Sequence, residues 1–399
     1  MSVSEKENKA LRRSETLIAF MLKLTDKIPN AFSIRNKVQE PLNNINSAIQ
    51  GLRSPRIMVI GRSRSGKSSL INAICGFKVA EISDTKPETG TATWKEYYHH
   101  GTELLKILDT RGLQESEDPR QTDSANTPYE SLIAALRKDC PDVVLFLCKA
   151  SEVYSASNKD LDECEQIVEY IKQKYRRNLP IIGVLTKCDE LSPPMISLPT
   201  NNERKNRNIE ECVQSFYAYL KEREKLRDCV KSVVPTVAYA EYEEGENGLV
   251  FPDEDYRWNI DQLVEKMISC TPKETRGSLA RMAHLSGFQR TVARTIVTSC
   301  SIICGVVAAN PIPGLGIPTV AGIQSFMVSY IAWIAGREFS AEAISEFVAV
   351  AGTFGVTDIA LKFIPGFGSL LSAGINGTAT QFLGETAINY FFSVNEEDN

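Results

Sequence analysis

Gly61-Arg62-Ser63-Arg64-Ser65-Gly66-Lys67-Ser68 decides the fold of this chain. It fits the pattern G-x-x-x-x-G-K-[ST] and stands directly between the strand-like Ile57-Met58-Val59-Ile60 and the helical Ser69-Leu70-Ile71-Asn72-Ala73-Ile74. Strand, glycine-rich loop and helix in that order form a phosphate cradle. The glycines let backbone amides wrap around phosphate oxygens, and the helix N-terminus adds a positive potential. Residues Gly61 through Ser69, including Arg62, Ser63, Arg64, Ser65 and Gly66, are therefore expected to line a nucleotide's phosphates. Lys67 is expected to reach the β- and γ-phosphates, and the Ser68 hydroxyl to coordinate Mg²⁺.

Outward from this loop, short apolar runs alternate with helical patterns from Arg53 to Thr271. Predicted strands are Arg56–Ile60, Thr91–Tyr98, Leu104–Leu108, Asp142–Cys148, Pro180–Thr186 and Ser232–Ala238. Predicted helices follow Gly66 and cover Tyr129–Arg137, Asp160–Tyr175, Ile209–Lys225 and Ile260–Ile268. Leu191–Asn208 and Glu241–Arg257 read as polar loops. Alternation of this kind implies a three-layer α/β sandwich with a mostly parallel six-stranded sheet. Unbroken apolar strands such as Ile181-Ile182-Gly183-Val184-Leu185 suit a sheet covered on both faces.

The base is read further along. Thr186-Lys187-Cys188-Asp189 closes the fifth predicted strand and resembles the [TN]-K-x-D guanine pattern of GTPases. The Asp189 carboxylate can accept hydrogen bonds from N1–H and N2–H of guanine, a pair that adenine lacks, and the Lys187 stem would lie across the purine. A site built around such an acceptor rejects a base that cannot satisfy it. Val237-Ala238, after the sixth predicted strand, offers a last base contact through the Ala238 amide. Asp109-Thr110-Arg111-Gly112 matches the D-x-x-G switch, with Asp109 expected to hold Mg²⁺ through water and the Gly112 amide to sense the γ-phosphate. Within Thr85–Thr93, Thr91 is the expected switch threonine on Mg²⁺, with Thr89 and Thr93 as alternatives. GTP or GDP is thus the expected ligand and Mg²⁺ the expected cofactor.

Over Arg53–Thr271 these elements resemble the Era and TrmE-like GTPases, and Trp258-Asn259-Ile260-Asp261-Gln262-Leu263 looks like the opening of their last helix. The resemblance implies GTP hydrolysis. Ras-type enzymes carry a water-orienting glutamine directly after the switch glycine, where this chain has Leu113, a hydrophobic substitution like that of Era-like GTPases. Arg64 stands where TrmE-like GTPases place an asparagine that helps bind potassium, and where guanylate-binding proteins place an arginine finger. Arg64, Lys67 and Thr91 are accordingly the expected catalytic residues, with Arg62 and Arg111 as further finger candidates. A solvated loop arginine is the plain alternative for Arg64.

The flanks are helical. Residues 1–52 carry apolar residues at three- and four-residue steps, with Pro29 and Pro41 as breaks or helix starts. From 272 to 399 the chain turns rich in alanine, glycine and aliphatic residues, and no charge occurs between Thr295 and Gly336. Ile312-Pro313-Gly314-Leu315-Gly316 recurs as Ile364-Pro365-Gly366-Phe367-Gly368, and Ala321-Gly322-Ile323-Gln324 as Ala373-Gly374-Ile375-Asn376, which implies two related helical hairpins. Three domains are expected: 1–52 helical, 53–271 nucleotide-binding, and 272–399 all-α. Ile317–Gly336 approaches the length of a membrane span, so membrane contact is weighed against soluble packing and slightly preferred. The tail resembles a membrane-associated helical module that follows Era-like domains in some bacterial proteins. The layout also resembles immunity-related GTPases and, more loosely, dynamin-like proteins.

Bulk properties narrow the rest. A net charge of −5 gives no support for whole-surface nucleic-acid binding. Ten cysteines with three histidines and no zinc spacing argue against a thiolate–imidazole metal site, and a polar start without an apolar core points to the cytosol. The expected partners are GTP/GDP, a second copy through the nucleotide domain, and a membrane through the C-terminal helices. An alternative is a GTP-binding scaffold or membrane-anchoring module with negligible turnover. Ribosome or RNA binding has less support.

Overall fold

The computed structural model describes residues 31–62, 64–78, 94–99, 102–110, 128–155, 158–194, 196–243, 248–282, 286–309, 316–337, 345, 347 and 377–397. The chain divides into two compact units, one of Ser54–Pro272 and one of Met1–Arg53 with Lys273–Asn399. The segments that flank the nucleotide domain in sequence therefore share one unit.

The first unit is an α/β sandwich. Its sheet has six strands: β1 Arg56–Ile60, β2 Trp94–His99, β3 Thr102–Thr110, β4 Val143–Lys149, β5 Ile181–Thr186 and β6 Val230–Pro235. Their spatial order is β2-β3-β1-β4-β5-β6, parallel throughout except for the antiparallel β2–β3 pair. Ile57, Met58, Val59 and Ile60 are all buried, as are the six residues of β5, so helices cover both faces of the central strands. The expected mostly parallel six-stranded sheet is thus present, with strand ends shifted by a few residues.

Helices α1 Ala31–Gln50, α2 Lys67–Cys75, α3 Pro128–Lys138, α4 Asn158–Tyr175, α5 Glu203–Glu222 and α6 Ile260–Cys270 come next in chain order, and all but α1 belong to the sandwich. Two stretches depart from the sequence reading. Within the polar run Leu191–Asn208, α5 already starts at Glu203, because the Asn202 side chain accepts the Lys205 N–H at 2.9 Å and caps it. The polar Glu241–Arg257 holds a two-stranded antiparallel ribbon, β7 Ala240–Tyr242 with β8 Val250–Asp255. Its exposure on β8 erased the apolar alternation by which strands are recognised.

The second unit is helical: α1, α7 Lys273–Met282, α8 Ser286–Ala309, α9 Gly316–Ile334 and α10 Gly377–Glu397. Val38, Leu42, Ile45, Ala48 and Ile49 form the buried stripe of α1 and join one core with α8, α9 and α10. Pro41 does not break α1, which runs through it with the ring buried. Small residues let helices touch: a Cβ on Gly377 would lie 2.5 Å from the Ser301 carbonyl oxygen. Two buried amides bond across helices: Gln324 Nε2 donates to Thr380 Oγ1 at 2.8 Å and Gln289 Nε2 to the Ile334 carbonyl at 2.9 Å.

Among the described residues one helical stretch is long and apolar enough to cross a membrane, Gln289–Val307, and a little under half of it is buried within the structure. The stretch weighed from sequence, Ile317–Gly336, largely coincides with α9, and most of Val320–Ile334 lies in the core. The Pro/Gly elbow at 312–315, its echo at 364–368 and the repeated 373–376 lie outside the described residues.

Candidate nucleotide site

The loop leaves β1 at a point where only glycine fits. A Cβ at Gly61 would stand 2.9 Å from Ser65 Oγ and 3.0 Å from both the Cβ and the carbonyl oxygen of Leu147. Arg64 and Gly66 take left-handed backbone conformations, with φ of 61° and 86°. The second costs nothing for glycine, whereas the first is uncommon for arginine and marks a backbone set by its surroundings. Gly66 then caps α2, and the chain turns helical at Lys67. Arg64 is exposed, Ser65 is buried, and Ser68 and Ser69 sit half-buried in the first turn.

The loop's polar groups are only partly used. Lys67 Nζ donates to the carbonyls of Gly61 at 2.9 Å and Arg62 at 3.1 Å, so its amine reaches back across the loop. Ser65 Oγ is buried and has no hydrogen-bond partner. Orphaned buried hydroxyls are uncommon in folded proteins.

The Thr186–Asp189 segment, expected to read the base, is tied to this loop. Thr186, buried at the end of β5, donates from Oγ1 to the Ser65 carbonyl at 2.8 Å. Parallel pairing of β1, β4 and β5 brings both segments to the same edge of the sheet, the carboxyl edge where open α/β sheets bind ligands. Lys187 follows in a left-handed conformation with φ of 56°, and Asp189 lies in the 3₁₀ turn Cys188–Glu190. Glu190 bridges Lys149 Nζ at 2.9 Å and Lys187 Nζ at 3.5 Å. Partial burial pushes the Glu190 carboxyl up, but the hydrogen bond and charge of Lys149, with Lys187, leave it below its ordinary value. In return the Glu190 hydrogen bond raises Lys149.

Beyond β6, Thr236 is fully buried and its hydroxyl donates to the Leu185 carbonyl at 3.0 Å. Val237 pairs both ways with Trp258, through N–H to carbonyl bonds of 3.1 and 2.9 Å. Ala238, the expected last base contact, is buried directly after this clamp. Asn259, also left-handed, donates its side-chain amide to the Pro235 carbonyl at 2.8 Å. Trp258 and Asn259 thus fasten the segment, a role that the sequence suggested only as the opening of a helix.

The metal-side residues are less completely defined. Asp109 is the penultimate residue of β3 and pairs in register with Val59, one residue short of the end of β1. Its backbone therefore stands beside the strand that feeds the loop. Its side chain, together with all of Ser63, Thr91, Arg111, Gly112 and Leu113, lies outside the described residues.

A family model described as "50S ribosome-binding GTPase" matches residues 56–187, from β1 through Lys187. Residues 56–187 are a P-loop GTPase domain. The GTPase domain is similar to that of the tRNA modification GTPase MnmE from Campylobacter jejuni, at 28% identity over 200 residues, covering 50% of this chain and 40% of that protein. It is also similar to the GTPase Era of Treponema pallidum, at 30% identity over 141 residues, covering 35% of this chain and 41% of that protein. The chain spans about two-fifths of the length of these curated relatives. Among solved structures, Toc33 from Arabidopsis thaliana is similar at 16% identity with a TM-score of 0.36, covering 64% of this chain and 94% of that one.

Sequence reasoning missed one charged residue of the same α/β unit. Lys205 is fully buried in the first turn of α5, and its amine binds the carbonyls of Asp189, Leu191 and Pro193. A lysine three residues after an asparagine cap, where an acid is usual, was the available signal.

Proposed function

We propose that this chain binds GTP with Mg²⁺ and hydrolyses it to GDP and phosphate. The observation that carries the reading is the hydrogen bond from Thr186 to the Ser65 carbonyl, which joins the base-reading strand to the phosphate loop. A purine recognised through its amide edge by Asp189 would then hold its phosphates over the amides of Gly61 through Ser69. Lys67 would exchange its two loop carbonyls for β- and γ-phosphate oxygens, and Ser65 Oγ would gain a partner.

The donors suit a hard divalent cation. Ser68 and Asp109 offer a hydroxyl and a carboxylate. That matches Mg²⁺, which keeps several waters and takes few protein ligands beside phosphate oxygens. Bound there with Thr91, the ion would neutralise charge on the phosphates. Gly112 would report the γ-phosphate.

Arg64 is our candidate for transition-state stabilisation. Its exposure and left-handed backbone support a side chain free to swing over the β- and γ-phosphates, and such a group is worth roughly 10³–10⁵ in rate in other GTPases. A second copy is the proposed partner through the GTPase domain. Membrane contact is proposed through Gln289–Val307, which carries the exposed Ile302. We place the protein in the cytoplasm, with part of it at a membrane surface.

Calorimetry in magnesium buffer tests the ligand: GTP should bind at least 10²-fold tighter than ATP, because a base without the amide edge leaves Asp189 unpaired. Equal affinities reject the reading. Single-turnover hydrolysis by Arg64→Ala tests the finger, and an unchanged rate removes it. Turnover measured against protein concentration, with and without liposomes, separates self-activation and membrane stimulation from the catalytically weak scaffold.

A further inference from the structure

Lys205 sits where helix electrostatics oppose it. It occupies the first turn of α5, three residues after the Asn202 cap, and the N-terminal end of a helix disfavours a cation. It is also fully buried, and that burial lowers its pKa while the Asp189 charge works the other way. A buried ammonium is tolerable only when its protons all find acceptors. Nζ has three, and it donates to Asp189 O at 2.6 Å, to Leu191 O, and to Pro193 O at 3.2 Å.

Those carbonyls belong to alternate residues of the loop that starts with the guanine-reading aspartate. Asn208 and Asn206 hold the same loop further on, donating to Ser192 O at 2.6 Å and Thr200 O at 2.9 Å. The other side of Asp189 is set by the left-handed backbone of Lys187. Asp189 is thus gripped from both directions, by a backbone twist before it and by an ammonium on its own carbonyl. An apolar side chain of similar volume would fill the space without the cost of burying a charge. What an apolar side chain cannot do is fix three carbonyls at once.

We infer that Lys205 is a positioning residue for base selection: by holding the Asp189, Leu191 and Pro193 carbonyls it sets the aim of the Asp189 carboxylate at the guanine edge. The inference rests on the GTP reading above. Lys205 touches neither phosphates nor the reacting atoms, so its effect belongs to recognition and not to the chemical step.

The test compares GTP with ITP, whose base lacks the 2-amino group, by calorimetry on the full chain and on Lys205→Met. A misaimed carboxylate forfeits the N2–H bond, so GTP should weaken roughly 10- to 100-fold, with ITP weakening several-fold less. Hydrolysis at saturating GTP should stay within about two-fold of the parent, because the phosphate site is untouched. A purely structural lysine would weaken both nucleotides equally, and that result overturns the inference, as does unchanged discrimination. If Lys205→Met fails to fold, Lys205→Arg replaces it. Its planar fork keeps the charge but cannot present three donors to the same carbonyls; it should show the same loss of discrimination, and parent-like discrimination overturns the proposal. An unmodified chain that binds no GTP defeats the GTP reading itself, whereas tight GTP binding with undiminished selectivity in the variant defeats only the role of Lys205.

Discussion

Thr186→Val would cut a side-chain hydrogen bond that joins the end of β5 to the Gly61–Ser68 loop. Valine matches threonine in shape, so the substitution removes the hydroxyl with little change in volume. Thr186 Oγ1 lies 2.8 Å from the Ser65 carbonyl oxygen and 3.5 Å from that of Cys148, so the first contact carries the interaction and the second is marginal. Both Thr186 and Ser65 are almost wholly buried, at 2% and 4% exposure, so water does not replace the lost donor easily. A buried acceptor left without its donor costs about 1–3 kcal/mol. That is a substantial part of a domain stability of about 5–15 kcal/mol. The two units need not unfold together, so one global melting curve is a poor measure. Native-state hydrogen exchange at the β5 and loop amides reads the local effect, with protection expected to fall about 5- to 150-fold. Thr186→Ser is the control: it keeps the hydroxyl and loses one methyl group. GTP affinity should drop in the valine variant and hold in the serine variant. If both variants bind GTP and exchange alike, the hydroxyl does not couple the two halves of the site and the argument fails.

Gly61→Ala should destabilise the GTPase domain by about 1–3 kcal/mol and weaken nucleotide binding, since its Cβ would press on Ser65 and the Leu147 backbone; chemical denaturation followed at Trp94 and Trp258 reads this. Gly377→Ala should cost the helical unit a similar amount, about 1–3 kcal/mol, through its collision with the Ser301 carbonyl, and a melt followed at Trp333 should fall while the Trp258 signal holds. Native thiol labelling at pH 8 should modify Cys270 first, because it is the half-exposed member of the ten cysteines and the rest are buried. Burial pushes Cys75, Cys188 and Cys304 up to about 12, so they stay protonated and unreactive until the protein unfolds. Asp255 is held below its ordinary value of 3.8 by its hydrogen bonds from Arg257. A folded-state value below the unfolded one gives stability that is complete above pH 3.8 and is lost as pH falls through the lowered value. Asp255→Asn should therefore be less stable than the parent at pH 6, with the gap closing toward pH 2 in acid denaturation curves.

The sheet was legible because its strands obey two rules at once. Ile57–Ile60 and Ile181–Leu185 are apolar without alternation, as burial on both faces demands, and each leads into residues with nucleotide chemistry. The ribbon at Ala240–Asp255 was not legible. Five of the six β8 residues are exposed, so no face is written into the side chains, and backbone pairing alone defines the strand. Lys205 escaped for a related reason: its function lies in its partners' backbone carbonyls, which no side-chain pattern records. The Gly61–Ser68 loop and Asp189 announced themselves because their side chains fit patterns that a sequence records. What fastens them, through Thr186, Trp258, Asn259 and Lys205, uses backbone groups that any sequence possesses.

The uncharged stretch from Thr295 to Gly336 illustrates the same limit in the other direction. Read alone, its length and apolarity suit lipid. In the structure, Ile296, Val297, Cys300, Ile303 and Cys304 meet Val320, Ile323, Met327, Ile331 and Ile334 in one protein core that also takes in α1 and α10. Glycine at 377 and 384 lets α10 approach so closely that a methyl group would strike Ser301 or Val297. A helix at that distance removes water as completely as lipid does, and both environments select small and aliphatic residues. Composition therefore cannot separate them, and the polar groups show only that these helices pack on one another. Ser299 and Ser301 return their hydroxyls to carbonyls one turn earlier, and Gln289 and Gln324 find partners on neighbouring helices. Such cross-helix bonds require the helices to be assembled, and among the described residues the apolar surface of Val320–Ile334 is largely spent on its own unit.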